Sequence, residues 1–303
     1  MRMTNLDTET NSKEKNRAWL LPDSKTGALP AGLYLVATPI GNMGDISLRA
    51  LDVLAAADAV LCEDTRVSGK LLSYFGLKKK LDIYNDHSDD GVRAKVVQRI
   101  ESGEALVLVS DAGTPLVSDP GYKLVQDARA AGVMVTSIPG ASAPVTALQL
   151  SGLPSDAFSF IGFLPSKSGA RQTLLQKWAD VPSTLLMFET APRLIAALND
   201  INAVMGTRRV AVVREITKMY EEVRCDTPQE LAAHYEQHGA PKGEIVLVIE
   251  PPADVVYSDE DVDALLREAL KDQGTKKAAA AVSEKTGLAK SDLYERALAL
   301  KDS

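Results

Sequence analysis

Four loops rich in small and polar residues follow predicted strands in the first half of the chain. They lie at residues 37–45, 63–66, 110–121 and 138–143. Glycine lets a backbone turn sharply and approach a ligand closely, and Asn, Asp, Ser and Thr supply hydrogen-bonding groups. Any one of these loops is compatible with a plain connecting turn. Because ligands bind at the carboxyl ends of parallel strands, the four together predict a binding site for a small polar ligand.

The loop at 110–121 contains more hydroxyl and carboxylate side chains than the other three. It contains two Ser-Asp pairs eight residues apart, Ser110-Asp111 and Ser118-Asp119, with a Gly-Thr-Pro turn between them. Hydroxyls, carboxylates and free backbone amides can then surround one ligand. The loop at 63–66, Glu-Asp-Thr-Arg, has a second interpretation as an ion-pair network at a domain or dimer contact, because such networks also form away from active sites.

Strand and helix signals that alternate along the chain position these loops. Short apolar runs predict strands at 33–37, 59–62, 81–84, 105–109 and 133–138, with helical spacing between them. This order predicts an α/β domain whose mostly parallel sheet is covered on both faces. A Ser-Gly-Leu-Pro breaker at 151–154 precedes a second set of strands, predicted at 158–163, 184–188, 209–214 and 243–249.

Composition divides the rest of the chain. The first 30 residues are mostly polar, which predicts a disordered leader. After Pro251-Pro252 the chain is rich in Ala, Lys and Leu, and Gly287 separates two helical segments, which predicts a helix-turn-helix or a plain helical cap. The predicted organisation is a leader at 1–30, an α/β domain at 31–150, a second α/β domain at 151–252 and a small helical domain at 253–303.

The overall composition excludes several classes of protein. No run approaches the ~18 consecutive apolar residues of a membrane span, and the first 30 residues lack the apolar core of a secretion signal, so we expect a cytoplasmic protein without a membrane partner. The net charge of −7 argues against binding nucleic acid over the whole surface, although not against a local basic patch. Motifs of dinucleotide, P-loop, serine-hydrolase and zincin sites are absent.

Cysteine and histidine spacing does not predict a metal site. Cys62 and Cys225 lie far apart in the sequence, and we expect both to be reduced thiols. His234 and His238 flank Glu236 at helical spacing, but no third ligand is nearby, and a solvated helix face explains them. We therefore expect activity without a metal ion.

A set of eight motifs, in this order along the chain, carries a specific resemblance. They are V-A-T-P-I-G-N at 36–42, E-D-T-R at 63–66, S-D-A-G-T-P at 110–115, S-D-P-G at 118–121, I-P-G-x-S-A at 138–143, G-F-L-P at 162–165, R-E-I-T-K at 214–218 and K-G-E at 242–244. The set resembles the tetrapyrrole methylase superfamily and, within it, the small-subunit ribosomal RNA (cytidine-2′-O)-methyltransferases. Members of that family tend to show two histidines and an asparagine near 85–88, where only His87 matches in this chain.

The resemblance implies a two-domain, tetrapyrrole-methylase-like (class III) methyltransferase fold with a small C-terminal helical domain. It also implies a homodimer, with S-adenosylmethionine bound in the cleft between the two α/β domains. The implied cofactor-binding residues are Thr38, Pro39, Gly41, Asn42, Ser110, Asp111, Ala112, Gly113, Thr114, Ser118, Asp119, Pro139, Gly140, Ser142, Ala143, Lys242, Gly243 and Glu244.

The reaction implied by the resemblance is 2′-O-methylation of a cytidine ribose in 16S ribosomal RNA, with the small ribosomal subunit as partner. A ribose hydroxyl is a poor nucleophile, so a positioned base would assist it. The candidate bases are Glu63, Asp64, His87 and Glu222. Arg66 and Lys218 complete the predicted catalytic set, because a cation can hold a phosphate or lower the pKa of a neighbour.

Basic positions at 78–80, 208–209 and 276–277, together with Arg171, are candidate RNA contacts if folding brings several of them onto one face. Two other functions stay open. The first is methylation of a tetrapyrrole precursor, which belongs to the same superfamily. The second is a ribosome-assembly binding module that keeps the fold without turnover.

Overall fold

The computed structural model describes residues 27–85, 90–239, 241–253 and 257–302. Most of the predicted leader and His87 therefore lie outside the described residues. The chain forms two compact units, one up to Pro251 and one from Pro252 onwards. The described residues of the larger unit form two five-stranded sheets.

The first sheet is wholly parallel, as the alternating strand and helix signals predicted. Its strands are β1 (Gly32–Val36), β2 (Ala59–Cys62), β3 (Leu81–Ile83), β4 (Ala105–Leu108) and β5 (Val135–Ile138), in the order β3-β2-β4-β1-β5. The helices that follow them are α1 (Leu48–Ala56), α2 (Thr65–Tyr74), α3 (Asp90–Glu101), α4 (Tyr122–Ala130) and α5 (Ala143–Ser151). Strands β2 and β4 are buried along their whole length because helices α1 to α4 cover both faces.

The strand order explains why separate loops meet. All five strands run in one direction, so their carboxyl ends lie along one edge of the sheet. β1 lies between β4 and β5, which places the loops after these three strands side by side. The loop after β2, at 63–66, lies on the other side of the β4 loop.

The second sheet is mixed. Its strands are β6 (Phe158–Phe163), β7 (Thr184–Thr190), β8 (Val210–Arg214), β9 (Glu222–Asp226) and β10 (Glu244–Ile249), in the order β6-β7-β10-β8-β9. β6 and β7 are parallel, and the other three pairs are antiparallel. Sequence analysis did not predict β9, because this edge strand, Glu-Val-Arg-Cys-Asp, is largely exposed and polar.

Helices cover both faces of the second sheet. On one face lie α6 (Ser168–Trp178), α7 (Leu194–Met205) and α8 (Pro228–His238). On the other face Ala147 and Leu148 of α5 pack with Ala211, Val213 and Val246. Helix α5 therefore packs on the second sheet although all but its last residue precedes the domain boundary predicted after residue 150, and that boundary stays a prediction.

In the part of the smaller unit that the structure describes there are three helices, α9 (Asp259–Asp272), α10 (Thr275–Thr286) and α11 (Lys290–Asp302). Its core consists of Val262, Leu266, Ala279, Val282, Leu293 and Ala297. Gly287 adopts the left-handed conformation that ends α10, and α11 follows within three residues, so the predicted helix, glycine turn and helix are confirmed. Within the described residues, no helix has the length and apolar character needed to cross a bilayer.

Candidate functional site

Hydrogen bonds join the loops after β1, β4 and β5 into one surface, which we call the first-sheet wall (residues 37–45, 110–121 and 138–143). The backbone N–H of Thr38 donates to the Gly113 carbonyl at 2.8 Å, and the Gly113 N–H donates to the Thr38 carbonyl at 3.1 Å. The Thr114 hydroxyl donates to the Ala141 carbonyl at 3.1 Å. The loops thus hold one another in place, which preorganises the groups they present.

Two glycines of the first-sheet wall cannot be enlarged without strain. Gly113 has φ +82°, and a Cβ there would lie 3.1 Å from Cγ2 of Ile40. A Cβ on Gly140 would lie 3.0 Å from Cβ of Ala37. Glycine is favoured at Gly113 by the left-handed conformation, and a side chain at either position would displace its neighbour by a few tenths of an ångström.

A cavity of about 760 Å³ separates this wall from the second sheet. We call it the larger cavity. Of the predicted cofactor residues, those lining it are Asp111, Ala112, Gly113, Thr114, Ser118, Asp119, Ser142, Ala143, Lys242, Gly243 and Glu244. The second sheet adds the ends of β6 and β7 and the start of β10. A cleft of this size, mostly apolar with a few polar groups, is typical of a small-molecule site.

A smaller cavity of about 230 Å³ adjoins the larger one. Thr38, Pro39, Gly41 and Ser110, four of the predicted cofactor residues, line this smaller cavity instead. The two cavities share Ile40, Asp111, Ala112 and Glu244. Asn42, Pro139 and Gly140 line neither cavity. A group held in one cavity would therefore meet a group held in the other at the shared residues.

Lys218 reaches the smaller cavity from the second sheet. Its Nζ donates to Oε1 of Glu215 at 2.9 Å and to Oε2 of Glu244 at 2.8 Å. Burial lowers the pKa of Lys218, but these two carboxylates more than offset it, so the pKa is raised and the side chain stays charged. A Cβ on Gly41 would lie 2.6 Å from Cγ of Lys218, so the side chain packs directly on the β1 loop.

Backbone strain is concentrated on the two sides of the cleft. Within the described residues, the non-glycine positions with positive φ are Leu116 and Ser118 in the β4 loop and Glu215 and Thr217 after β8. Thr217 is β-branched, for which a φ of +64° is a clear outlier. Strained residues of this kind persist where the surrounding structure enforces them, and they cluster at functional sites.

Asp119 titrates far from the usual range of a carboxyl. The pKa of Asp119 is raised to about 6, mainly by burial and in smaller part by the charge of Asp111, while a hydrogen bond to Ser110 partly offsets both. Asp111 and Asp119 both line the larger cavity. The cavity therefore favours a cationic group beside these two carboxyls.

The 63–66 loop has a local structural role. Asp64 caps α2 by accepting the Arg66 N–H at 2.8 Å, and its carboxylate also accepts the Arg66 guanidinium at 2.6 Å. These bonds lower the pKa of Asp64 to about 2, so this carboxylate is a weak base. Glu63, Asp64 and Arg66 line neither cavity, and the Arg66 side chain is 85% exposed.

Glu222 also lies away from both cavities. It is on β9, where it pairs with Arg214 at 3.2 Å and with Arg224 at 2.7 Å. His87, the remaining candidate base, lies outside the described residues. Of the six predicted catalytic residues, Lys218 is the one that the described structure places on a cavity wall.

Arg171 is not available for RNA, which corrects the expectation that it contacts the substrate. Its side chain is 3% exposed and pairs with Asp200, itself buried, at 2.5 Å. His234 and His238 stack with ring centroids 4.3 Å apart. The described ranges contain no group of three His, Cys, Asp or Glu side chains that could hold a metal ion.

Sequence reasoning missed the aromatic part of the larger cavity. Phe163 at the end of β6 and Phe188 on β7 line it. Both lie in apolar strands, so the sequence pattern predicted only that they belong to the hydrophobic core. The G-F-L-P motif at 162–165 was part of the family resemblance, but it offered no role for its phenylalanine.

Comparisons with known proteins agree with the fold. Residues 32–232 match the family described as Tetrapyrrole (Corrin/Porphyrin) Methylases, and residues 257–301 match the RsmI C-terminal HTH domain. A ribosomal RNA small subunit methyltransferase I of Mesorhizobium japonicum is 48% identical over 276 residues, covering 91% of this chain and 94% of the relative. Its namesake from Erythrobacter litoralis is 52% identical over 279 residues, covering 92% and 99%.

Two solved structures share the architecture at low identity. A diphthine synthase has a TM-score of 0.57 at 18% identity and covers 72% of this chain and 89% of its own. A uroporphyrin-III C-methyl transferase from Thermus thermophilus, complexed with S-adenosylhomocysteine, has a TM-score of 0.51 at 19% identity and covers 72% and 97%. At these identities they establish the fold. The family match over residues 32–232 and the two close relatives show that the chain belongs to the tetrapyrrole methylase family and is a methyltransferase.

Proposed function

We propose that this protein transfers the methyl group of S-adenosylmethionine to the ribose 2′-hydroxyl of a cytidine in small-subunit (16S) ribosomal RNA. The observation that carries the proposal is the pair of adjoining cavities, one large enough for the donor and one for a single acceptor group, with a shared wall at Ile40, Asp111, Ala112 and Glu244. The names of the close relatives support ribosomal RNA as the substrate.

The larger cavity fits the donor. Gly113 lines it without a side chain, and the carboxyls of Asp111 and Asp119 on the same wall are available to a cationic group. S-adenosylmethionine, when bound, supplies a methyl group on a positively charged sulfur, which is the electrophile of the reaction. The chain itself has to hold donor and acceptor in line, at ~3 Å, and to exclude competing nucleophiles.

The smaller cavity fits one nucleotide. Its walls include the apolar side chains of Met43, Val67 and Leu71, and Lys218 lies at its second-sheet side. At about 230 Å³ it is below the ~300–1,000 Å³ of a typical ligand pocket, which suits one splayed nucleotide better than a tetrapyrrole macrocycle. This difference favours RNA over the tetrapyrrole alternative.

The proton of the attacking hydroxyl needs an acceptor near the shared wall. The carboxylates placed there are Asp111 and Glu244, whereas Glu63, Asp64 and Glu222 line neither cavity. A base positioned within hydrogen-bond reach contributes ~10²- to 10⁴-fold to such a transfer. We therefore place the proton acceptor among Asp111 and Glu244, and we assign Lys218 to orienting Glu244, to which it is bonded.

Transfer of tritium from labelled S-adenosylmethionine tests the proposal. The acceptors are small ribosomal subunits, free 16S RNA and uroporphyrinogen, with heat-denatured protein as control. We expect label in subunits, in a cytidine whose phosphodiester resists alkaline hydrolysis because its 2′-oxygen is methylated. Label in a base or in uroporphyrinogen would contradict the proposal, and tight subunit binding without label would favour a non-catalytic assembly module.

We further propose a cytoplasmic homodimer that acts on the assembled small subunit. Large apolar side chains that remain exposed in the larger unit support self-association, among them Tyr74, Ile83 and Met219, because burying such surface stabilises an interface. Sedimentation equilibrium at micromolar concentration would give twice the mass of the 32.5 kDa chain if the dimer forms.

A further inference from the structure

A bulge at the end of β6 changes the direction of one aromatic side chain. Along this strand Phe160 packs toward α5, and Ile161 packs toward the helices on the opposite face. Regular alternation would therefore send Phe163 to the same face as Ile161. The register with β7 shifts between Phe160 and Phe163, and Gly162 within the shift has φ +76°.

The bulge brings Phe163 to the cleft side instead. Its ring centroid lies 5.1 Å from that of Phe188, and the Phe188 centroid lies 4.9 Å from that of Phe160. Phe163 and Phe188 line the larger cavity. Bulges beside active sites commonly re-aim a side chain in this way.

Phe163 is exposed to an unusual degree for its type. Its side chain and backbone together are 56% accessible, although it lies beside a cavity and in ring contact with a half-buried phenylalanine. Exposed aromatic surface in a concave site gains free energy when a flat ligand covers it. The apolar side chains of Ile216 and Val246 line the same cavity, so the aromatic pair belongs to an apolar part of the wall.

We propose that Phe163, together with Phe188, forms the surface against which the adenine ring of the donor packs. The proposal rests on the proposed function for the identity of the donor. Adenine is the flat, weakly polar part of S-adenosylmethionine, whereas the amino acid part and the sulfonium are charged. Asp111 and Asp119, on the opposite wall, complement the charged part.

This assignment orients the donor. A Cβ on Gly162 would lie 3.6 Å from Oγ of Ser118, so the bulge contacts the loop after β4. The aromatic side chains of the second sheet therefore border the polar residues of that loop. With adenine on Phe163, Asp111 would be the carboxylate available to the sulfonium at the border of the smaller cavity, where the acceptor would lie.

Isothermal titration calorimetry without RNA tests the assignment, with S-adenosylhomocysteine and adenosine as ligands. We expect Phe163→Ala to weaken both by about tenfold, because adenine stacking is lost from each. Phe163→Leu, which keeps apolar bulk but not a flat face, should lose less. Phe158→Ala is the matched control: Phe158 lies at the other end of the same strand, is 48% exposed and does not line the cavity.

Unchanged affinity of both ligands in Phe163→Ala would overturn the assignment. So would a loss for S-adenosylhomocysteine without a loss for adenosine, since Phe163 would then contact the amino acid part. A rise in KM for RNA alone would assign Phe163 to the acceptor. Failure of the wild-type protein to bind S-adenosylhomocysteine would overturn the proposed function itself, and circular dichroism checks that each variant is folded.

Discussion

The two walls of the cleft are built in different ways. The first-sheet wall is held by backbone hydrogen bonds between loops, such as the reciprocal pair between Thr38 and Gly113. The second-sheet wall (residues 158–163, 188–192, 214–218 and 241–246) adds a charged side-chain network to its backbone bonds: the Glu215 N–H donates to the Glu244 carbonyl at 3.0 Å, and Lys218 is bonded to the carboxylates of both Glu215 and Glu244. Backbone bonds between loops hold the small groups of the first-sheet wall in fixed positions. The charged side chains of the second-sheet wall can be changed one at a time, so the contribution of each to donor binding and to methyl transfer can be measured separately.

The largest expected effect is on stability, and it compares the ion pairs that join the helices over each of the two sheets. Asp200→Ala removes the partner of a buried arginine, and we expect it to lower the free energy of unfolding by about 3–5 kcal/mol. Asp127→Ala, at the Arg93–Asp127 pair of 2.7 Å over the first sheet, is the control, and it should cost less because the Asp127 side chain is half exposed. Urea denaturation measures both. Equal losses would contradict the contrast.

The next effect concerns the first-sheet wall. Gly113→Val forces a side chain onto a left-handed residue and against Ile40, so we expect the affinity for S-adenosylmethionine to fall by about 10- to 100-fold. Gly132→Val has the same backbone strain, with φ +71° but open space around it, and should leave the affinity unchanged. Calorimetry gives both values. Normal donor binding by Gly113→Val would remove the first-sheet wall from the donor site.

A smaller effect, on the rate of methyl transfer, is expected from a substitution in the second-sheet wall. Lys218→Ala should reduce methyl transfer to small subunits by about tenfold, with donor affinity within about threefold, because Lys218 orients the acceptor side. Arg66→Ala should reduce transfer less, since Arg66 is largely exposed and pairs locally with Asp64. Single-turnover rates and calorimetry separate the two steps. Loss of donor binding in folded Lys218→Ala protein would contradict the assignment of Lys218 to the acceptor.

The smallest effect is a pH dependence. The pKa of Asp119 is about 6, so its charge is present above that pH and is lost as pH falls through it. Because the ionised form attracts a cation, the affinity for S-adenosylmethionine should rise a few-fold between pH 5 and pH 7. Asp119→Asn should flatten this profile. A profile that is the same in both proteins would assign the titration to another group.

The first-sheet wall was better predicted from the sequence than the second-sheet wall, for a physical reason. Glycines and polar residues after an apolar strand give a local signal, so the order of residues alone was enough to predict that the loops at 110–121 and 138–143 share one sheet edge. The contact between Gly41 and Lys218 joins residues far apart in the chain, and its existence depends on how two sheets pack.

Three features could not be predicted for related reasons. β9 lacks an apolar pattern because it is an exposed edge strand. Phe163 follows strand alternation in the sequence, and only the bulge at Gly162 turns it to the cleft. Arginine usually lies on the surface in contact with water, but Arg171 is buried because its guanidinium pairs with the buried carboxylate of Asp200.

A crystal structure with S-adenosylhomocysteine tests most directly whether the donor lies between the two walls. The expected result is an adenine ring on Phe163, a sulfur atom close to Asp111, and a smaller cavity left for the acceptor. A ligand that occupies the smaller cavity, or that makes no contact with the loop at 110–121, would contradict the division of the cleft into a donor side and an acceptor side.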